Sequence, residues 1–304
     1  LLKKMVKNLI KSPYLIIISL FFSSVLCFSC LKRWQPGVLE RMDAKLAIQR
    51  IASKWEKTVI LRQKDTIRPF IPDTRKYSLE NLKEMLEIHG LVYVKPDRGT
   101  YGNGVMSVEP WTDELVSEQE QAPQYKLRYG IQSDFYPTLE ELHNALVQRI
   151  GKKVYLIQQG IHLLTYRRRK FDIRALVQRT PQKGWETTGF IGRVAAQQKI
   201  ITNYHGGGMT ATIEELLGPY LEPRAFAKTY KEMKLLGVRA ARQLAGKFPN
   251  LKEIGLDIAI DEQHQIWILE VNTLPALFPF KFLPDKDIYK KIRRYAVAYG
   301  RLKK

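Results

Sequence analysis

The chain has 304 residues, 45% of them hydrophobic and 26% charged, which is enough apolar material for one large domain or two modest ones. Fifty lysines and arginines against thirty acids give a net charge of +20, read either as a preference for an anionic partner or as a solvated basic surface. No zinc-finger spacing and no basic repeat interleaved with aromatics is present, which argues against nucleic acid. Cys27 and Cys30 are the two cysteines, and both lie in an apolar N-terminal run. The globular part therefore has no disulfide framework and no cysteine zinc site.

Residues 14–31 carry no charge and follow Lys3, Lys4, Lys7 and Lys11. The run is about as long as the shortest membrane helices, and its basic flank also suits a signal peptide. The sequence opens on Leu1, and a soluble-looking stretch begins at Met42, so translation from Met42 is a third reading. The expected organisation is an apolar leader or membrane-anchor helix over 1–41, a helical extension over 42–90 and a main domain over 91–304, with a subdomain boundary near 155.

The spacing of Leu46, Ile48, Ile51 and Trp55 predicts a helix over 43–57. Two prolines make 67–72 a connector. Ser78 caps the next helix and Gly90 ends it. A strand over 91–95 enters a loop with Gly99, Gly102 and Gly104, and a strand over 105–108 leaves it. Helices follow at 139–150, 213–217 and 226–244, the last with room for a break, and a basic amphipathic helix closes the chain at 286–302. Strands are expected at 154–158, 172–178, 187–195, 255–260 and 265–271. Antiparallel strand pairs mixed with helices indicate an α+β fold.

Two stretches carry chemistry. Lys95 precedes Gly99, Gly102 and Gly104, and glycines let main-chain N–H groups approach phosphate oxygens closely. The lysine stands before the glycines, so this is not a Walker loop. An ordinary glycine-rich hairpin tip would look the same. The second stretch is the hairpin 255–272. Strand alternation places Asp257, Ala259 and Asp261 on one face, and Ile266, Ile268, Glu270 and Asn272 on one face. A turn centred between Gln263 and His264 puts Asp257 opposite Glu270. Carboxylates about 5 Å apart repel by about 3 kcal/mol at an effective dielectric of 20. A divalent cation held by Asp257, Glu270 and Asn272 would offset this, and oxygen ligands favour magnesium over zinc. Hydration at an exposed hairpin end or a nearby arginine would offset it too.

These pieces in this order resemble the ATP-grasp superfamily. Lys95-Pro-Asp-Arg-Gly-Thr-Tyr-Gly-Asn-Gly-Val105, Gln159-Gly-Ile161, Phe171-Asp-Ile-Arg174, Gly255-Leu-Asp257 and Trp267-Ile-Leu-Glu-Val-Asn272 together resemble the endospore coat-associated YheC/YheD family, from about Ser53 to Phe280. The resemblance implies two α+β subdomains clasping ATP. It implies ATP contacts from Lys95, Gly99, Tyr101, Gly102 and Gly104, and from Gln158, Gln159 and Ile161 at the adenine hinge, where many members have a glutamate. Asp257, Glu270 and Asn272 would hold Mg2+. Asp172-Ile-Arg174, Arg193 and Asn203 with Gly206-Gly207 resemble the branch that adds glutamate to peptides. Arg174 and Arg193 would there face the γ-phosphate and an acyl phosphate, unless they pair with the acids of the hairpin. The implied partners are ATP, an acidic carboxylate substrate and spore coat proteins, on the cytoplasmic side of a sporulating cell or in the coat, with a membrane contact only through 14–31. ATP-grasp enzymes usually carry a substrate domain before the lysine strand. Only about fifty residues separate Met42 from Lys95, short of a usual domain, so the acceptor site is expected to be reduced, completed by a partner, or idle.

Overall fold

The computed structural model describes residues 48–100, 102–112, 124–196 and 208–303. The run at 14–31, the leader over 1–41, Tyr101, Asn203, Gly206 and Gly207 lie outside the described residues. Among the described residues no helix is long and apolar enough to cross a membrane.

Residues 48–53 are not helical, and α1 spans Lys54–Arg62. It starts later than the Leu46–Trp55 spacing predicts because Ser53 caps it, accepting the Glu56 N–H. Ser-x-x-Glu ahead of an apolar run is the sequence mark of a helix start, and it outweighs a loose apolar period. Upstream, the Ile51 N–H donates to Thr273 Oγ1 at 2.9 Å, which ties this segment to the far end of the chain. A 3-10 turn at Arg68–Phe70 leads to the short strand β1 (Thr74–Lys76) and helix α2 (Leu79–His89). Ser78 caps α2 and Gly90 ends it with φ +69°.

Strands β2 (Val92–Pro96) and β3 (Met106–Trp111) flank the glycine loop. The hairpin β4 (Gln124–Tyr129) and β5 (Gln132–Tyr136), absent from the sequence reading, precedes α3 (Leu139–Ile150) and β6 (Tyr155–Gln159). These strands form an antiparallel sheet in the order β1-β6-β2-β3-β4-β5. Leu82, Met85 and Leu86 of α2 and Leu142, Leu146 and Ile150 of α3 pack on Val92, Val94 and Ile157. Because strand side chains alternate, Tyr93 and Lys95 then point to the uncovered face.

The second sheet holds β8 (Arg169–Arg179), β9 (Trp185–Val194), β10 (Met209–Ala211), β11 (Glu253–Ile260) and β12 (Ile266–Asn272), in the order β10-β9-β8-β11-β12. The two-residue strand β7 (Thr165–Tyr166) pairs with β8. One face packs on α1, α4 (Ile213–Leu217) and α5 (Pro223–Lys247). Helix α5 runs unbroken through Gly237, where an added Cβ would stand 2.7 Å from Thr187 Oγ1. That glycine serves close helix-to-sheet packing, so no break is needed. On the other face, α6 (Lys286–Ala298) and a 3-10 turn at Phe278–Phe282 cover one half through Phe280 and Ile292 on Leu176 and Ile191. The other half opens toward the Lys95 face of the first sheet. Two antiparallel sheets with helices on their faces give the α+β class expected.

Candidate nucleotide site

Between the two sheets lies a cavity of about 360 Å³. It is lined by Lys95, Gly99, Gly102, Gln158, Gln159, Ile161, Arg174, Arg193, Asp257, Glu270 and Asn272. Every sequence-predicted site residue within the described part is therefore on its wall, apart from Gly104, which lies between the lining residues Asn103 and Val105.

The first wall is the glycine loop and its lysine. Gly99, Gly102 and Gly104 have φ of +146°, +72° and +75°, a region that L side chains seldom adopt. At Gly104 a Cβ would also stand 2.6 Å from the Tyr155 hydroxyl. Lys95 is buried, and its Nζ donates to Gln158 Oε1 at 2.6 Å and to the Leu269 carbonyl at 3.2 Å. Burial pushes its pKa down to about 8, against the opposing pull of the Glu270 carboxylate. Gln158 is itself fixed, since its Nε2 donates to Thr74 Oγ1 at 2.9 Å. Its amide is thus committed to orienting the lysine. Gln159 Oε1 is likewise occupied, by the Asp73 N–H at 3.2 Å.

The second wall is the hairpin. Asp257 does pair with Glu270, but the turn is not where the sequence suggested. From Ile260↔Ile266 to Ile258↔Ile268 the register centres the turn on Gln263. Asp261 organises it, accepting the Gln263 N–H at 3.0 Å, the Gln265 N–H at 2.8 Å and the Trp267 indole N–H at 2.8 Å. The pairing then shifts between Asp257 and Ile258, leaving Leu269 as an extra, bulged residue. The shift also corrects the face assignment. Ile266 and Ile268 enter the core on the side covered by α1, as does Val271, whereas Glu270 and Asn272 line the cavity. A strict two-residue period had put Ile266, Ile268, Glu270 and Asn272 together; the bulge separates the first pair from the second.

The repulsion between Asp257 and Glu270 is offset by protein cations. Arg174 Nε meets Asp257 Oδ1 at 2.5 Å, and Arg193 Nη2 meets Oδ2 at 3.0 Å. Lys54 Nζ stands 3.6 Å from Glu270 Oε1. Burial alone would raise the Asp257 carboxyl, but the two guanidiniums outweigh it and hold the pKa low. The fold consequently does not need a metal to tolerate the pair. Arg193 is engaged through two nitrogens, its Nε and Nη2 also gripping Asp172 at 2.7 and 2.6 Å. Burial lowers its pKa less than Asp172 and Asp257 raise it. Arg174 is spent only through Nε. Among the described residues, its two terminal amino groups make no hydrogen bond.

Lys54 is the cavity residue that sequence reasoning missed. Its Nζ also donates to the Gly99 carbonyl at 3.1 Å, so one side chain touches both walls. Its position is set by Asp97, whose Oδ1 accepts the Ser53 hydroxyl at 2.9 Å and the Trp55 N–H at 2.8 Å. The Ser53-x-x-Glu56 helix start would have located Lys54 at a helix N-terminus, but no local signal couples it to Glu270.

Four cations (Lys54, Lys95, Arg174, Arg193) and three carboxylates (Asp172, Asp257, Glu270) line the cavity, so the excess favours an anion. Among the described residues no group of three or more His, Cys, Asp or Glu side chains forms a metal cage. Two carboxylates and an amide oxygen nevertheless fit magnesium, which keeps several positions for water and phosphate oxygens. A divalent ion together with a triphosphate would leave this wall near neutral, so the donor set fits the pair better than the bare ion.

The family model "YheC/D like ATP-grasp" matches residues 44–302. Endospore coat-associated protein YheD of Bacillus subtilis (strain 168) is 24% identical over 252 residues, 81% of this chain and 53% of that protein. Endospore coat-associated protein YheC of the same organism is 22% identical over 232 residues, 74% of this chain and 60% of that protein. The chain thus spans little more than half the length of these curated relatives. Among solved structures, that of the ATP-grasp ligase PsnB complexed with minimal precursor aligns at 14% identity and a TM-score of 0.49, covering 82% of this chain and 61% of that one. With a family model matched over nearly all its described length, and with the glycine loop and acid hairpin of that family facing one cavity, this chain belongs to the YheC/D-like ATP-grasp family.

Proposed function

We propose that the cavity binds magnesium–ATP and that the chain is a carboxylate–amine ligase of the spore coat or envelope. The observation that carries this reading is the meeting of Lys95 and the glycine loop with Asp257, Glu270 and Asn272 on opposite walls of one cavity. Gly99 to Gly104 and Tyr101 would cover the phosphates, with Lys95 and Lys54 as their counter-charges. The adenine would lie by Gln158, Gln159 and Ile161, read by main chain and shape, because both glutamine amides are engaged. Asn203 would add a polar contact. Asp257, Glu270 and Asn272 would hold magnesium, which when bound neutralises phosphate charge.

In such a reaction a carboxylate oxygen attacks the γ-phosphorus and ADP leaves. An amine nitrogen then attacks the acyl carbon, phosphate leaves, and the amine proton passes to solvent. The residues of this chain would supply position and charge: Arg174, whose terminal amino groups make no hydrogen bond among the described residues, would face the developing negative charge, and Arg193 would hold Asp257 in place behind it. Coat association comes from the names of the curated relatives, and coat proteins are the proposed macromolecular partners.

The test is calorimetric titration with ATP and magnesium, and the double variant Asp257→Asn with Glu270→Gln should weaken binding at least tenfold. Unaltered binding by that variant would sink the proposal. A second reading, nucleotide binding without turnover in a coat-structural role, draws on the two arginines that already occupy Asp257. ATP binding with no ADP release across a panel of acids and amines would favour it.

A further inference from the structure

We infer that the outer end of the cavity selects a carboxylate carried on an apolar body, with Arg174 taking the carboxylate and the turn at 274–280 taking the body. The inference rests on the cavity's being a nucleotide site with an acceptor end, and it names the class of acid that end admits.

Arg174 is nearly buried, its side chain 14% exposed, and lines the cavity with two terminal amino groups unbonded among the described residues. A guanidinium fork so placed matches a carboxylate in two parallel hydrogen bonds. Its Nε side meets Asp257, and its aliphatic stem runs beside Pro275. At Gly255 an added Cβ would stand 2.7 Å from Pro275 Cβ and 2.9 Å from Arg174 Cδ. The absence of a side chain there lets the arginine stem and the 274–280 turn close together. The turn is held from behind. Arg301 donates to the Pro275 carbonyl at 2.8 Å, and Phe280 is buried against Gly189.

On this fixed turn, Leu274 and Phe278 line the cavity yet are 40% and 43% exposed. Every side chain from Leu274 to Phe280 is apolar. The turn brings no charged or hydrogen-bonding side chain to the cavity. A second charge on the acid would be pressed against the apolar turn and lose its hydration without a partner. The acid is therefore a mono-anion with an aliphatic or aromatic body, a narrower class than the acidic substrate that net charge suggests.

Isothermal titration, with magnesium and a non-hydrolysable ATP analogue present, compares three probes. 3-Phenylpropanoate should bind at least tenfold tighter than 3-phenylpropylamine, which has the same body, and than succinate, which has charge without a body. Leu274→Ser, at a half-exposed position that should not disturb folding, should weaken 3-phenylpropanoate about fivefold and leave the analogue's affinity within twofold. Arg174→Gln should erase the preference over the amine. Equal or tighter binding of succinate, or an unchanged affinity in Leu274→Ser, overturns the inference. If the analogue fails to bind, the nucleotide reading fails on its own, and the same panel without nucleotide still decides the preference.

Discussion

The two walls of the cavity are charged on opposite plans. On the hairpin wall Asp257 is surrounded by guanidiniums, with Arg174 at 2.5 Å and Arg193 at 3.0 Å. On the glycine wall Lys95 is just as buried but, among the described residues, has only neutral acceptors within hydrogen-bond reach, the Gln158 amide and the Leu269 carbonyl. The first is a completed ion cluster that supports the fold. The second is a desolvated cation that the fold tolerates at a cost, because an isolated charge is expensive to bury. An incoming anion would relieve Lys95, so stability should respond in opposite senses to mutation of the two walls, while nucleotide binding should weaken from either.

The largest effect should come from the hairpin wall. Asp257→Ala leaves Arg174 without its acid and Arg193 with Asp172 alone, and breaking a buried pair from one side should destabilise the protein by about 3 kcal/mol. Urea unfolding measures this, and a loss below about 1 kcal/mol would mean that the cluster is not structural. On the glycine wall, Lys95→Met should be neutral or stabilising by about 1–3 kcal/mol, because it removes the desolvated charge, while ATP binding weakens at least tenfold. Destabilisation by this variant would erase the contrast between the walls.

The same lysine sets a pH dependence. Its pKa is about 8 when folded, against an ordinary 10.5. Between those values the unfolded chain still holds a proton that the folded protein has released, so this group makes stability rise with pH across that window. Phosphates prefer the protonated form, so ATP affinity should fall above about pH 8 by up to tenfold per unit. Lys95→Met should flatten both profiles. The smallest effect is expected at the loop. Gly104→Ala meets both the +75° φ and the Tyr155 hydroxyl, and should cost about 1–2 kcal/mol in thermal or urea unfolding.

Much of this was legible in the sequence wherever a local rule governs. Ser78 and Gly90 bound α2 as capping chemistry requires, the α3 stripe of Leu142, Leu146 and Ile150 was plain in its period, and the motif residues converge on one cavity. What was hidden depends on long-range contacts or on backbone states that sequence does not mark. His264 takes φ +63° in the hairpin turn without being glycine, so the turn centre was misplaced by half a residue. The β4–β5 hairpin has weak alternation, with Gln132, Ser133 and Asp134 on an edge strand. Lys54 gains its place only through Asp97 and Glu270, which no window around it contains.

The bulge at Leu269 acts as a frameshift in the strand's two-letter code of inside and outside. Carried straight back from the turn, the register would set Asp257 against Leu269 and send Glu270 into the core under α1. The single extra residue resets the frame, so the outer part of the hairpin is read for packing and the inner part for chemistry. Deleting Leu269 would make the ladder regular and keep Glu270 opposite Asp257, whereas straightening the strand with Leu269 retained would turn the acid inward. While Leu269 is present, the bulge is thus as much a part of the site as the acid itself.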